Sequence, residues 1–322
     1  MKFFRELATE IYQVSWTLFK LMIPALIVVK VLEELGFVAY LGVLLEPLMA
    51  IVGLPESMGL VWATTILTNI YAGMLVFFYA QQGEAMTVAQ VTVIAGLMLM
   101  AHGLPVEARI AQQAGVRLRV TLLLRIGGGF LFGWLLHKIY SLGGWLQQPN
   151  ELLWQPPAVD NSLLGWGKAQ LESLLIIQLI VIVLLTVLKV LRSIGVERLM
   201  AIALRPLLSL LGIGRNATTI TIVGVTLGLA FGGGLLIKEA RAGHVSKRDI
   251  FAAMSLLAFC HSLIEDTLLV MLLGAHISGA LWIRLAFSIA VVALMTRLLD
   301  CRSDSFWQRH LVNRHIDPVQ TG

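Results

Sequence analysis

A chain of 322 residues in which 58% are apolar and only 13% charged falls well below the roughly 25% charged content of soluble domains, which excludes a water-soluble globular protein. The net charge of +5 is spread between apolar runs instead of forming one basic face, so it argues for membrane topology and against a nucleic-acid partner. Cys260 and Cys301 offer neither a disulfide framework nor a CxxC pair.

A hydrocarbon core about 30 Å thick takes about 20 apolar residues per helical crossing, and backbone groups inside it must pair within helices. An all-α polytopic membrane protein follows. Residues 1–13 place Phe3, Phe4, Leu7 and Ile11 at helical spacing beside Lys2, Arg5 and Glu6, which predicts an amphipathic interfacial helix. No small-residue cleavage site precedes the apolar run from Trp16 to Val31, so a signal peptide is disfavoured. Apolar segments follow at 14–32, 37–53, 58–80, 88–110 and 120–139, and again at 171–191, 196–213, 217–237, 250–272 and 281–299. The short second segments carry Pro47 and Pro206 and read as tilted spans, re-entrant pieces or interfacial helices, a span being preferred.

The two sets are one pattern written twice. An offset of 159 residues lays Lys30-Val31-Leu32 on Lys189-Val190-Leu191, Pro47 on Pro206, Gly73 on Gly232, His102 on His261 and Arg125 on Arg284 without a gap. Chance apolar similarity would not keep Lys, Pro, His and Arg in register. Loop charges invert between the halves. The stretch from Gln81 to Thr87 has no Lys or Arg where its counterpart holds Lys238, Arg241, Lys247 and Arg248, and the connection with Arg109, Arg117 and Arg119 is matched by an uncharged one near Gly274. Arg215 against Glu56 runs the other way. The expected architecture is about ten transmembrane helices in two inverted five-helix repeats, 14–142 and 168–301, with helices broken by Gly and Pro. Both termini are then cytoplasmic and the protein lies in the cell's inner membrane. The linker 143–167, with Pro149, Pro156, Pro157, Trp145, Trp154 and Trp166, lies along the opposite surface, and 302–322 forms a solvated polar tail.

Polar residues inside apolar segments are the candidate site. His102 and His261 occupy equivalent places in the fourth segments, and ionisable groups there are costly enough to be functional candidates. Taken singly, each could equally serve a helix contact, and only their pairing favours function. Glu107 lies beyond the Gly103–Pro105 break, Glu265 shares a helical face with His261, and Asp266 stands beside it. These carboxylates could take a proton, ligate a cation or bind hydroxyls, while Glu107 could also face water at a helix end. Gly73 and the run Gly232-Gly233-Gly234 allow unwinding or close helix packing. Asn69 stands out from its Thr neighbours. Arg125 and Arg284 are expected to snorkel to headgroups, or to anchor an anion.

Thr68-Asn69-Ile70-Tyr71-Ala72-Gly73 with His102-Gly103-Leu104-Pro105-Val106-Glu107, and Gly232-Gly233-Gly234 with His261-Ser262-Leu263-Ile264-Glu265-Asp266, resemble the nucleoside-recognition, or Gate-domain, membrane family. That family includes the spore maturation proteins A and B, gate regions of concentrative nucleoside transporters and the membrane domains of the ferrous-iron transporter B. The resemblance covers about two thirds of the chain and implies a transport or gating role with gate-like repeats. No GxxxxGK[ST] motif accompanies it, so no ATP site is visible.

Broken helices in inverted repeats are the recipe of a secondary transporter. The expectation is alternating access for a small polar solute, a nucleoside or related anion, at a midplane site of His102, His261, Asn69, Gly73, Gly232, Gly233, Glu107, Glu265 and Asp266. A coupling ion, membrane lipids and a homo-oligomer are compatible partners, and no cofactor is implied. The second hypothesis is a divalent-metal transporter for ferrous iron or zinc using His102, Glu107, Cys260, His261 and Glu265. The third is a non-transporting scaffold. An intramembrane enzyme is disfavoured because its catalytic centre would not be written twice.

Overall fold

The computed structural model describes residues 2–35, 37–81, 85–152 and 163–313, all of whose regular elements are helices. The first half comprises α1 (Lys2–Glu34), α2 (Phe37–Ile51), α3 (Met58–Leu67), α4 (Ile70–Ala80), α5 (Val88–Met100), α6 (Leu104–Ala114) and α7 (Leu118–Gly143). The second comprises α8 (Leu163–Ser193), α9 (Val196–Leu210), α10 (Arg215–Leu227), α11 (Leu229–Arg241), α12 (Lys247–Phe259), α13 (Leu263–Met271) and α14 (Ser278–Asp300), followed by α15 (Asp304–His310). Helices α2, α4, α5 and α6 begin 159 residues before α9, α11, α12 and α13. The sequence offset is therefore also an offset of helix boundaries.

Residues 1–13 do not form a helix of their own. α1 is continuous from Lys2 to Glu34, and its Glu10 accepts a hydrogen bond from Lys189 of α8 at 2.9 Å. Glu10, with Glu6 at 3.7 Å, thus pairs with a lysine of the second half, while Arg5 and Thr9 stay exposed.

The third segments differ most from expectation. Each reads as one run, yet α3 and α4 are separated by Thr68 and Asn69, and α10 and α11 by Gly228. Residues eight apart in one straight helix stand about 12 Å apart. Here a Cβ on Gly73 would strike the Thr65 side chain, and one on Gly232 would strike the backbone of Gly224. Chain reversal at Asn69 and Gly228 is the only way to bring them together, so each third segment is a helical hairpin. Gly73 and Gly232 consequently do not interrupt helices, as the triple glycine suggested. They sit inside α4 and α11 and let the two arms of each hairpin touch. Gly233 performs the same service toward α6, because its Cβ would meet Ile110 at 2.5 Å.

Hairpin arms about 15 Å long cannot cross a 30 Å core. Among the described residues, four helices are long and apolar enough to do so: Leu118–Gly143, Leu164–Ser193, Lys247–Met271 and Ser278–Asp300. The pair α5–α6, bent by 42° at its break, adds a fifth. Length and composition therefore fall short of ten crossings.

Of the stretch 302–322 expected as a solvated tail, the described residues dock through Trp307 and Val312. Trp307 of α15 is 3% exposed and packs edge-on against Phe251 with centroids 5.3 Å apart. Arg117 and Arg119 donate to the carbonyls of Gln308 and Arg309 at 2.6 and 2.8 Å, satisfying the open C-terminal end of α15. Residues beyond Asn313, and Trp154, Pro156 and Pro157 of the linker, lie outside the described residues. The described part of the linker is held by Asn150, which donates to the Leu273 carbonyl at 2.9 Å.

The hairpin geometry makes a paired prediction. Gly232→Ala should destabilise the protein by about 1–3 kcal/mol in detergent thermal unfolding, because the Gly224 backbone cannot step aside. Gly234→Ala, whose Cβ would meet nothing within 4 Å, should leave the midpoint unchanged or raise it slightly.

Candidate functional site

α5 and α12 both stop about halfway through their apolar segments. In the first half the stop is legible, since Gly103 takes a left-handed conformation (φ +55°) and Pro105 enters the first turn of α6. In the second half Ser262 adopts the same conformation, φ +46°, although it carries a side chain and no proline follows. A non-glycine residue rarely sits there, and the repeat register was the one signal for it. The hairpin tip of α3–α4 meets the first break directly: Gly103 N–H donates to the Thr65 carbonyl at 3.1 Å. At the second break Ser262 stands against the tip residue Gly228, whose Cβ, if present, would lie 2.6 Å from Ser262 Oγ.

The two breaks bring His102 and His261 face to face, ring centroids 4.8 Å apart, each under a tenth exposed. His102 Nδ1 lies 3.1 Å from the Met98 carbonyl and His261 Nδ1 2.7 Å from that of Leu257. A carbonyl can only accept, so each Nδ1 carries a hydrogen. In their uncharged form the rings would therefore present bare Nε2 lone pairs to one another, and these atoms are 2.9 Å apart. Glu107 Oε1 completes a triangle at 3.3 Å from His102 Nε2 and 3.2 Å from His261 Nε2. Three acceptors stand together with no donor among them, an arrangement that calls for a positive charge. Asp266 Oδ2 is 3.8 Å from His102 Nε2 on the fourth side.

Two arginines surround this centre, and sequence reasoning misplaced both. Arg125 and Arg284 are wholly buried and do not snorkel. Arg125 ion-pairs with Glu107 and donates to the carbonyls of His102 at 2.7 Å and of Ala258, in the other half, at 3.1 Å. Arg284 donates to the carbonyls of Phe259 at 2.9 Å and His261 at 3.2 Å. Broken helices leave carbonyls without intrahelical partners, and in an apolar interior a multi-donor guanidinium is well suited to collect several of them. Wide π turns at Leu123–Gly128, which contains Arg125, and at Ser278–Ile283, just before Arg284, turn these residues inward. The equal spacing of His102 to Arg125 and of His261 to Arg284 was visible in the sequence, but nothing local marked the π turns.

The remaining candidates separate. Glu107 is buried in the centre and does not face water. Glu265 stands apart and accepts a 3.5 Å hydrogen bond from Tyr71. Asn69 caps α4 by accepting from Ala72 N–H at 2.9 Å, while its buried Nδ2 has no acceptor among the described residues. Gly73, Gly232 and Gly233 serve helix contacts. Of the metal set, His102, Glu107 and His261 converge, with one donor atom from each within 4.8 Å of the others, and the group does not include Cys260 or Glu265.

No protein-family model and no solved structure matches the chain. An uncharacterized membrane protein of Bacillus subtilis (strain 168), YvoD, is 29% identical over 281 residues, covering 86% of this chain and 89% of that protein. The relative's name and the apolar helices agree that this is a helical integral membrane protein.

The arginines should be unequal in consequence. Arg125→Ala strands the Glu107 carboxylate and should cost about 3–5 kcal/mol, whereas Arg284→Ala strands carbonyls and removes only a more distant charge from Asp266, and should cost about 1–3 kcal/mol. Thermal unfolding in detergent measures both, and adding Glu107→Gln should recover part of the loss in the first variant but none in the second.

Proposed function

We propose that the protein is an ion-coupled membrane transporter, in which the His102–His261 pair takes up the coupling cation and the two halves, as inverted gate-like repeats, open the centre alternately to either side. The observation that carries this reading is the pair of Nε2 lone pairs 2.9 Å apart, with both Nδ1 hydrogens already committed to carbonyls. One proton placed between the rings turns a repulsion into a hydrogen bond shared by two imidazoles and faced by Glu107. Moving the halves apart separates the rings and weakens the hold on that proton, which is the linkage a coupled transporter requires.

Charge and size support a proton in the closed arrangement. Arg125 and Arg284 balance Glu107 and Asp266, so a proton leaves the centre with one net positive charge and a divalent ion with two. The void beside the centre, bordered by Glu107 and Arg125 and not by the histidines, is about 10 Å³, room for one water. A solute of nucleoside size enters only when the halves part. The resemblance to the Gate-domain family points to a nucleoside or related anion as the class carried, and the hairpin tip offers it the uncommitted Asn69 Nδ2. The doubled centre argues for transport over catalysis, and the loop charges for cytoplasmic termini in an inner membrane.

One observation favours a second reading. Triangle edges of 2.9, 3.2 and 3.3 Å approach the edge of about 3.3 Å of a tetrahedron with 2.0–2.1 Å bonds. A divalent metal ion would then be the cargo, held by His102, His261 and Glu107.

Reconstitution separates these readings. In liposomes enclosing a pH dye, addition of nucleosides in turn should reveal one class that moves protons, and the double variant His102→Ala/His261→Ala should remain folded while flux falls by about a hundredfold. One zinc or cobalt ion bound per chain in equilibrium dialysis, lost in that variant, would instead favour the metal reading. Undiminished solute flux in the double variant would sink both and leave a site elsewhere or a scaffold.

A further inference from the structure

The spans that begin at Lys247 and end at Asp300 bring those ends to one level, tied by a 3.1 Å hydrogen bond from Arg248 Nη1 to Asp300 Oδ1. Two span ends side by side mark the height at which hydrocarbon gives way to headgroups. At that height lies a cavity of about 530 Å³, walled by the α9–α10 turn at Gly212 and Gly214, the start of α12, the last turns of α14, and Trp307 of α15. Its volume falls within the range of about 300–1,000 Å³ typical of small-ligand sites. The cavity exists because the C-terminal helix folds back: Trp307 forms one wall, with the Arg248 guanidinium 5.6 Å from its ring centroid.

The charges in the cavity differ in what they already hold. Asp249 accepts from Gly214 N–H at 2.8 Å and from Ser246 Oγ at 2.9 Å, so it is engaged in holding the α9–α10 turn. Arg248 is shared between Asp300 and Trp307. Arg297 lines the same cavity but has no hydrogen-bond or ion-pair partner among the described residues. Asp300 keeps a side chain 63% exposed, leaving oxygen lone pairs beyond the one Arg248 uses. A free guanidinium and an accessible carboxylate three residues apart on α14 therefore share one wall. The rest of α14 runs from this end into the membrane interior, so the cavity lies where the headgroup of a lipid beside α14 would sit.

We propose that this cavity binds the phosphoamine headgroup of a membrane phospholipid, with the phosphate on Arg297, the ammonium on Asp300 and the acyl chains leaving the cavity toward the hydrocarbon. A bare guanidinium at headgroup height is what a lipid phosphate needs, and the carboxylate beside it selects a primary ammonium over headgroups that lack one or bury it in methyl groups. This site is remote in chemistry from the histidine centre and does not depend on the transport reading. It depends only on the membrane embedding of α12 and α14.

The test is thermal unfolding of delipidated full-length protein in detergent, titrated with short-chain phosphatidylethanolamine, phosphatidylcholine and phosphatidylglycerol, and with soluble glycerophosphoethanolamine. Phosphatidylethanolamine should stabilise at the lowest concentration. Arg297→Ala should weaken its apparent affinity about tenfold, Asp300→Asn should erase its advantage over phosphatidylcholine, and Arg198→Ala, at an exposed position outside the cavity, should change nothing. Equal stabilisation by all three lipids, or an unaltered titration in Arg297→Ala, overturns the proposal. A response to glycerophosphoethanolamine as strong as to the lipid keeps the phosphoamine chemistry but overturns the lipid as its source.

Discussion

Breaking a helix inside a membrane leaves carbonyls and N–H groups that lipid cannot satisfy, and this structure answers that constraint with two buried guanidiniums and two hairpin tips. Arg125 and Arg284 collect the carbonyls of His102, Ala258, Phe259 and His261, and the carbonyl of Thr65 receives the N–H of Gly103. Once those groups are paired, the break costs little more than the strain at Gly103 and Ser262, and the two histidines can be held opposite one another away from water. Without the clamps, the same residues would be too expensive to bury.

The centre joins the halves as well as occupying their boundary. Glu107 belongs to the first half and reaches both histidines, and Arg125 donates across to Ala258. Among the described residues the second half has no counterpart of the Arg125–Glu107 ion pair. Asp266, the residue in register with Glu107, instead approaches His102 at 3.8 Å. The correspondence thus holds for the helix boundaries and for the arginine contact to each histidine carbonyl, and fails at the second carbonyl of each arginine and at the carboxylates.

Some of this was legible in the residues and some was not. The offset that pairs Lys30 with Lys189 and His102 with His261 also pairs the helix boundaries, because gapless register over that length reflects common geometry. The break at Gly103 and Pro105 announces itself, whereas the one at Ser262 is readable only through its partner. Arg125 and Arg284 look like interfacial anchors because they begin apolar runs, and a linear window cannot see that a π turn rotates them inward. The triple glycine drew attention to Gly232 when the turn lies at Gly228. Glycine marks closeness as readily as flexibility, and sequence alone does not say which is being used.

The half-length hairpins impose an order of manufacture. The α3–α4 arms are too short to settle across a bilayer, and their tip would carry unpaired peptide groups into lipid. The partner that relieves the tip, Gly103, is synthesised later in the chain. The Arg125 clamp in turn waits for Ala258, more than a hundred residues downstream. The first half therefore leaves the ribosome with its centre incomplete and must be sheltered at the insertion machinery until the second arrives. The two halves finish each other's folding, and neither is expected to be a stable membrane protein by itself.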